Sequence, residues 1–418
     1  MANFDDYAWL TSDPAAQATL SAFAVDGRPE LQQLNELRKS LSPERARLIV
    51  EQITLRRRAV TKFGPLAARM FFTPVQLEQA TDREIASYKA ERFARAGEGR
   101  LIHDYCCGIG GDLIAFAARG LAIGWELSPV ARLLAEKNLA AAADANVGGS
   151  EAMGSVREAD VVTLTPAAED LWHVDPDRRS DGRRSTTLEH HSPGPDVIDR
   201  LRSAAPDGAI KLAPGSEPPE SWQREGELEW ITSQRECRQL VVWFGQLARR
   251  AGQRSATVLI SHQRGDVAAY QVSETASFAG DSGESCSAID EPQRYLYDPD
   301  PAIIAAHLLG AIANQYGLCS LSAGGAYLTG DEELADPLLS GFEIVESLPL
   351  RTAAVADWLS ARHVGRVEVK KRGVTTDPEK FRRDLKLRGE NEATVILTRA
   401  GKRQLAIIAR RLGQRRLT

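Results

Sequence analysis

Cysteine is scarce in this chain. Five stand among 418 residues, an odd number, with no C-x-x-C pair and two of them adjacent at 106 and 107. That pattern excludes a disulfide framework and a cysteine zinc site, and a reducing, cytoplasmic location is the simple inference. No apolar run approaches the roughly 20 residues that a membrane-spanning helix needs. The first ten residues carry Asp5 and Asp6 where a signal peptide needs a basic region before an apolar one, so neither a membrane partner nor export is expected. His190 and His191 are adjacent but have no acid or cysteine at ligand spacing. They read as metal ligands or as an exposed pair, and no metal is expected.

What is present is the composition of a soluble globular protein, 43% hydrophobic and 26% charged. The length suggests two or three domains at about 150 residues each. The net charge of −5 is unevenly spread: residues 361–418 hold 17 Lys and Arg against 6 Asp and Glu, a balance of +11, which leaves residues 1–360 at −16. The basic end is a candidate polyanion surface.

The organising stretch is Arg100-Leu-Ile-His-Asp-Tyr-Cys-Cys-Gly-Ile-Gly-Gly-Asp112, which reads as a strand, a glycine loop and the start of the helix Leu113 to Arg119. Gly108, Gly110 and Gly111 let the backbone take positive φ and approach a ligand, and the helix offers free N–H groups. A second strand, Ala122 to Glu126, ends in an acid 18 residues after Gly108, the spacing at which a carboxylate receives ribose hydroxyls. A dinucleotide fingerprint would place glycine where Leu113 stands. Asp104 before the loop suits a cationic ligand instead.

Residues 1–97 read as a helical subdomain. Leu31, Leu34 and Leu37 form one stripe, and Ser42 with Pro43 opens a further helix. Arg56, Arg57, Arg58 and Lys62 read as a phosphate contact or as a solvated face. Phe71 to Thr81 and then Ile85 to Phe93 form a helix expected to serve as a lid or packing brace. Residues 98–272 alternate strand and helix, the pattern of a doubly wound parallel α/β sheet. Ser128 caps the helix from Pro129, Asp160 is placed to accept from an adenine amine with Val161 on the ring, and Asp170 to Asp175 is a fourth strand. In such a sheet Asp104, Glu126, Asp160 and Asp175 face one crevice beyond the strand ends.

Further on, 180–195 reads as a mobile loop, Ala209 to Pro214 as a strand, Glu236 to Arg250 as a helix, and 255–260 with 267–272 as a closing hairpin. Residues 273–293, poor in apolar side chains, read as a linker or surface loop. Residues 294–418 form a small α/β domain with a helix from Pro301 to Tyr316, three strands and a basic helix from Lys380 to Arg388. Lys370, Lys371 and Arg372 at a strand end suit a phosphate backbone or a solvated surface.

The runs Leu77-Glu-Gln-Ala-Thr81, Asp104 to Asp112, Asp175-Pro-Asp-Arg-Arg179 and Val367-Glu-Val-Lys-Lys-Arg-Gly373 together resemble bacterial class I S-adenosylmethionine-dependent methyltransferases with a C-terminal THUMP-like domain. More distantly the chain is similar to the trimethylguanosine synthase group. The resemblance implies a Rossmann-like fold and S-adenosyl-L-methionine bound by Asp104, Tyr105, Cys106, Gly108, Gly110, Glu126, Leu127, Asp160 and Val161. It also implies an RNA partner, with Lys370, Lys371 and Arg372 as contacts, and an acceptor held by Asp175 and Pro176. Amino-methylating relatives carry a second proline and an aromatic ring after that pair. Here Asp177 and Arg178 stand there, and Arg178 can stack or hold a phosphate. An RNA-binding protein with a structural adenosylmethionine site and a small-molecule methyltransferase are the rival readings, and no feature of the sequence sets an oligomeric state.

Overall fold

The computed structural model describes residues 2–145, 147, 153–177, 179–180, 183–184, 187–260 and 274–413. The chain divides into two compact units, the first formed by Met1–Leu228, Gln239–Gly252 and Leu259–Glu274, the second by Glu229–Arg238, Gln253–Val258 and Thr275–Thr418. Residues 229–238 and 253–258, read from sequence as part of the domain spanning 98–272, thus cluster with the second unit. The helical segment 2–97 clusters with the sheet of the first.

The first unit opens with six helices, α1 (Phe4–Ser12), α2 (Pro14–Ala24), α3 (Glu30–Leu37), α4 (Pro43–Phe63), α5 (Pro74–Gln79) and α6 (Arg83–Ala96). Their starts are local: Asn3, Asp13, Ser42, Thr73 and Asp82 each accept from a first-turn N–H. The expected leucine stripe is incomplete, because α3 buries Gln33 and Leu37 and leaves Leu31 exposed. Arg56 and Lys62 are half-buried and spend their donors on backbone carbonyls. Arg56 donates to the Met70 carbonyl and lies over the Phe71 ring, while Lys62 donates to the carbonyls of Leu77, Glu78 and Ala80 at 2.8, 2.9 and 2.7 Å. A lysine from α4 therefore caps the carboxyl end of α5. The single helix expected over 71–93 is two, separated where Asp82 caps α6.

The sheet follows: β1 (Ile102–Tyr105), α7 (Gly111–Ala117), β2 (Ala122–Trp125), α8 (Pro129–Asp144), β3 (Gly154–Arg157), β4 (Leu171–Val174), the short pair β5 (Arg179–Ser180) and β6 (Arg183–Arg184), α9 (Pro195–Ala204), β7 (Gly208–Leu212), α10 (Glu220–Glu225), β8 (Glu227–Ser233) and β9 (Glu236–Trp243). Within the first unit the strand order is β9-β7-β4-β1-β2-β3. All these pairings are parallel except β7 with β9, so the α/β sheet expected from sequence carries an antiparallel strand. The helix expected over 236–250 is this strand, and the reason is packing. Leu240, Val241, Val242 and Trp243 are consecutive and all fully buried, which a run of β-branched and aromatic residues achieves in a strand covered on both faces.

In the second unit the chain runs through β10 (Arg254–Ile260), β11 (Glu274–Gly280), β12 (Ala288–Ile289), β13 (Tyr295–Pro299), α11 (Pro301–Ala305), α12 (Leu309–Tyr316), β14 (Cys319–Leu321), β15 (Leu328–Gly330), β16 (Leu339–Pro349), α13 (Thr352–Ser360), β17 (Val364–Lys371), α14 (Pro378–Asp384), β18 (Asn391–Ala400) and β19 (Arg403–Arg411). Residues 273–293, read as linker or surface loop, thus contain β11 and β12. The expected helix from Pro301 to Tyr316 breaks at His307, whose φ is +58°. The hairpin partner expected at 267–272 lies outside the described residues.

The eight-stranded sheet of this unit has the order β12-β14-β15-β13-β16-β19-β18-β17 and a core on each face. Ile396, Leu405, Ile407 and Ala409 pack on one side with Phe342 and Tyr327. Val395, Leu397, Ala406 and Ile408 pack on the other with Val355, Leu359 and Phe381. The alternation along β18 and β19 is the period-two signature of a doubly covered sheet. Among the described residues, no helix is long and apolar enough to cross a membrane.

Candidate active site

Strands β1, β2 and β4 run parallel, so their carboxyl ends open on one edge of the sheet. The loop leaving β1 turns through left-handed backbone at Cys106 (φ +58°), Gly108 (φ +56°) and Gly110 (φ +86°). At Gly108 the conformation favours glycine, and an added Cβ would lie 2.7 Å from Gln76 Oε1, because the Gln76 side chain of α5 reaches over the loop. The loop then enters α7, whose Phe116 ring sits 4.8 Å from that of Phe93 on α6.

A cavity of about 250 Å³ opens above these strand ends. Its floor is Asp104, Cys106, Cys107, Gly108, Gly111 and Asp112, one wall is Trp125, Glu126, Leu127 and Ser128, and another is Ala159, Asp160 and Val161. Asp175, Pro176, Asp177, Ser192 and Pro193 close the far end, and Gln76, Gln79, Ala80 and Thr81 arrive from the helical segment. Glu126 accepts from the N–H groups of Gly108 (2.9 Å) and Ser128 (2.8 Å), so it ties the glycine loop to the start of α8. Asp175 Oδ2 takes the Lys211 ammonium at 2.5 Å, and the same ammonium donates to the Gln79 carbonyl at 2.9 Å. Gln79 in turn donates to Asp177 at 3.1 Å.

Beneath the floor lies a buried charged cluster. Lys89 on α6 is fully buried, with its ammonium 2.7 Å from Asp112 Oδ1 and 3.1 Å from His173 Nε2. His173 Nδ1 stands 2.7 Å from Asp104 Oδ1, and Thr81 donates to Asp112 Oδ2 at 2.7 Å. Burial pushes Asp104 well above the usual carboxylate range, with the charge of Asp112 adding to it. Burial would raise Asp112 too, but the charges of Lys89 first and then Lys211 outweigh it and hold that carboxyl well below the ordinary value. Burial and the charge of Lys89 push His173 well below the usual histidine value, so its ring is neutral.

Asp104, Cys106, Gly108, Glu126, Leu127, Asp160, Val161, Asp175 and Pro176, all singled out from sequence, therefore meet around one cavity. Two others do not line it. Tyr105 is buried with its ring stacked on His103 at 5.5 Å, since successive strand residues point to opposite faces. Gly110 caps α7 behind the loop. Arg178 lies outside the described residues. His191 is buried while His190 is exposed, so they are not an exposed pair. The sequence reading missed Gln76, Gln79, Thr81, Asp112, Ser192 and Pro193 as lining residues. The Leu77-Glu-Gln-Ala-Thr81 run was the available signal for some of them, because it is part of the family resemblance.

The lining chemistry tests the implied cofactor. Six carboxylates line the cavity, and no Lys or Arg does among the described lining residues. A pyrophosphate would meet only like charge there. Asp104 Oδ2 is buried without a hydrogen-bond partner among the described residues, and a cationic group beside it would favour the carboxylate form that burial disfavours. Two curated relatives from Mycobacterium tuberculosis, strains CDC 1551 and H37Rv, both described as uncharacterized S-adenosylmethionine-dependent methyltransferases, are each 35% identical over 369 residues, 86% of this chain and 94% of theirs. The chain belongs to the S-adenosylmethionine-dependent methyltransferases. The fold agrees: a crystal structure described as a methyltransferase from Porphyromonas gingivalis W83 superposes with a TM-score of 0.70 at 18% identity, covering 98% of each chain. Residues 339–411 match the family described as THUMP domain-like.

In this methyltransferase the two loop cysteines are expected to be packing residues. Burial first, then the charge of Glu126, pushes the Cys106 thiol far up, and burial does the same to Cys107. Neither supplies the thiolate that nucleophilic chemistry needs. Cys107→Ser is expected to leave methyl transfer within about tenfold of wild type; a covalent adduct trapped on either cysteine would overturn this.

The methyltransferase's expected phosphate contacts are arranged differently from the sequence reading. Lys370 and Arg372 are clamped on Asp298 at 2.7 and 2.8 Å, and Lys371 is the exposed member of the three. A cleft of about 780 Å³ in the same unit is lined by Arg366, Arg382, Arg383, Lys386, Arg410 and Arg411 with Glu368 and Glu392.

Proposed function

We propose that the methyltransferase acts on RNA and that its acceptor is a hydrogen-bond-donating nitrogen such as a base amine. The observation that carries this reading is the combination, in one chain, of a transfer cavity lined by carboxylates with a THUMP-like segment that belongs to a strongly basic end. An acid-lined cavity disfavours a carboxylate or phosphate acceptor and favours an N–H donor. The similarity of residues 339–411 to THUMP domains supports RNA as the molecule that carries it.

S-adenosylmethionine, when bound, supplies a methyl group on a sulfonium, and transfer leaves the electron pair of the broken bond on sulfur. Glu126 has about four lone-pair sites, and the backbone N–H groups of Gly108, Ser128 and Leu127 already draw on them. The acceptor capacity that is left receives the ribose hydroxyls. Asp160 accepts from the adenine amine, Val161 and Leu127 cover the ring, and Asp104 faces the ammonium. At the far end Asp175, held by Lys211 through one oxygen, presents the other to the acceptor nitrogen beside the Pro176 carbonyl. Positioning of acceptor and methyl in line is expected to supply most of the acceleration.

Labelled methyl from S-adenosylmethionine should enter RNA isolated from a strain lacking this gene, and mass spectrometry of its nucleosides should identify a methylated amine. Binding of a structured RNA should also fall steeply with salt, and Arg383→Ala with Lys386→Ala should each lower the slope of log K against log salt by roughly 0.7 to 0.9. Neither side chain has an acidic partner among the described residues. Lys370→Ala should change the slope less, because Asp298 already neutralises that ammonium. Label that enters a small molecule and leaves the RNA unlabelled would overturn the assignment.

A further inference from the structure

We propose that His173 is a positioning residue for the cofactor: it holds Asp104 by one carboxylate oxygen so that the other stays turned to the ammonium end of S-adenosylmethionine. This rests on the reading that Asp104 faces that ammonium.

With the Lys89 ammonium paired to Asp112, the hydrogen bonds set the tautomer of the ring. Lys89 has three donors and no acceptor, so His173 Nε2, 3.1 Å from its ammonium, must accept. The proton then sits on Nδ1, which donates to Asp104 Oδ1 at 2.7 Å. Lys89 is itself held by Asp112 at 2.7 Å. Donation therefore runs outward from Lys89, to Asp112 on one side and through His173 to Asp104 on the other, with every member buried. On the second side it ends on Asp104 Oδ1, which leaves Oδ2 of the same carboxyl buried and without a hydrogen-bond partner among the described residues. The ring has little freedom to turn, since Phe116 and Phe93 meet it edge-on at 5.4 and 6.4 Å. Parallel pairing of β1 with β4 sets Asp104 directly opposite His173, so the arrangement belongs to the sheet. The placement also gives Lys89, on α6, a part in the cofactor site that a packing brace would not have.

Calorimetry with S-adenosylhomocysteine and with 5′-methylthioadenosine, which lacks the amino-acid arm, separates this role from general support of the cavity. His173→Leu removes both hydrogen bonds while keeping an apolar core residue. It should weaken S-adenosylhomocysteine binding on the order of tenfold or more and leave methylthioadenosine nearly unchanged. His173→Asn, whose amide N–H falls near the position of Nδ1, should recover most of the loss. Equal weakening of both ligands by His173→Leu, or no recovery with Asn, would overturn the proposal. Asp104→Asn tests the underlying reading separately. If it alters the two ligands alike, Asp104 does not face the ammonium; if it selectively weakens S-adenosylhomocysteine while His173→Leu does not, that reading stands and the positioning role falls.

Discussion

Glu126→Ala is expected to raise the dissociation constant for S-adenosylhomocysteine by about two orders of magnitude or more. A hydrogen bond to a charged acceptor contributes roughly 1.5 to 3 kcal/mol, and two ribose hydroxyls losing theirs amounts to at least a hundredfold. The same carboxylate holds the Gly108 and Ser128 N–H groups at 2.9 and 2.8 Å, so its removal also releases the loop on which the cofactor rests. Glu126→Gln keeps one acceptor oxygen and should fall between wild type and Ala. Burial raises the Glu126 carboxyl above its ordinary value, against the backbone donors of Ser128 and Gly108 that pull it down. A ligand that binds the carboxylate form should therefore lose affinity as pH falls through that raised value. Isothermal calorimetry over a pH series measures both effects. Wild-type affinity in Glu126→Ala would show that the spaced acid has no ribose role.

Asp175→Ala is expected to reduce methyl transfer to RNA by at least about a hundredfold, with S-adenosylhomocysteine affinity changed little. The side chain has two tasks on two oxygens. Oδ2 holds Lys211 at 2.5 Å, and the ammonium also ties in Gln79 from the end of α5. Oδ1, with no hydrogen-bond partner among the described residues, is the one expected to meet the acceptor. Truncation leaves a nearly buried ammonium short of its counter-ion, so a loss of thermal stability should accompany the loss of turnover. Asp175→Asn decides what the acid does. An amide oxygen still accepts from an amine but takes no proton, so near-normal transfer in Asn indicates orientation, whereas Asn as inactive as Ala indicates proton acceptance. Single-turnover measurements with labelled cofactor distinguish the cases, and full activity in Asp175→Ala would remove this residue from the site.

Loop, spaced acid and helix caps were legible in the sequence because each is local. Left-handed glycines at 108 and 110, Glu126 at the end of β2 and Ser128 at the start of α8 are set by residues close to them along the chain. Alternation of apolar strands with amphipathic helices likewise fixed the α/β class. Strand β9 was misread because a short, continuously apolar run has no period to separate helix from strand. Its neighbour β7 decided the matter by offering a ladder along one edge. Lys370 and Arg372 looked like open cations until the fold brought Asp298, 72 residues before Lys370, against them.

The same distinction runs through the candidate site. By itself the sequence determined which groups could hold a nucleoside and a cation, since residue type and short spacing suffice for that. Only the tertiary structure decided which groups hold those residues in place: Lys211 on Asp175 across 36 positions, His173 on Asp104 across 69, and Lys89 on His173 across 84. Such pairs leave no periodic trace in the sequence, because parallel strand register and the docking of α6 and α5 on the sheet create them. A lysine on a helix reads as a solvated charge until burial removes its water. Only then does the cost of an unpaired ion compel the partners that the fold supplies.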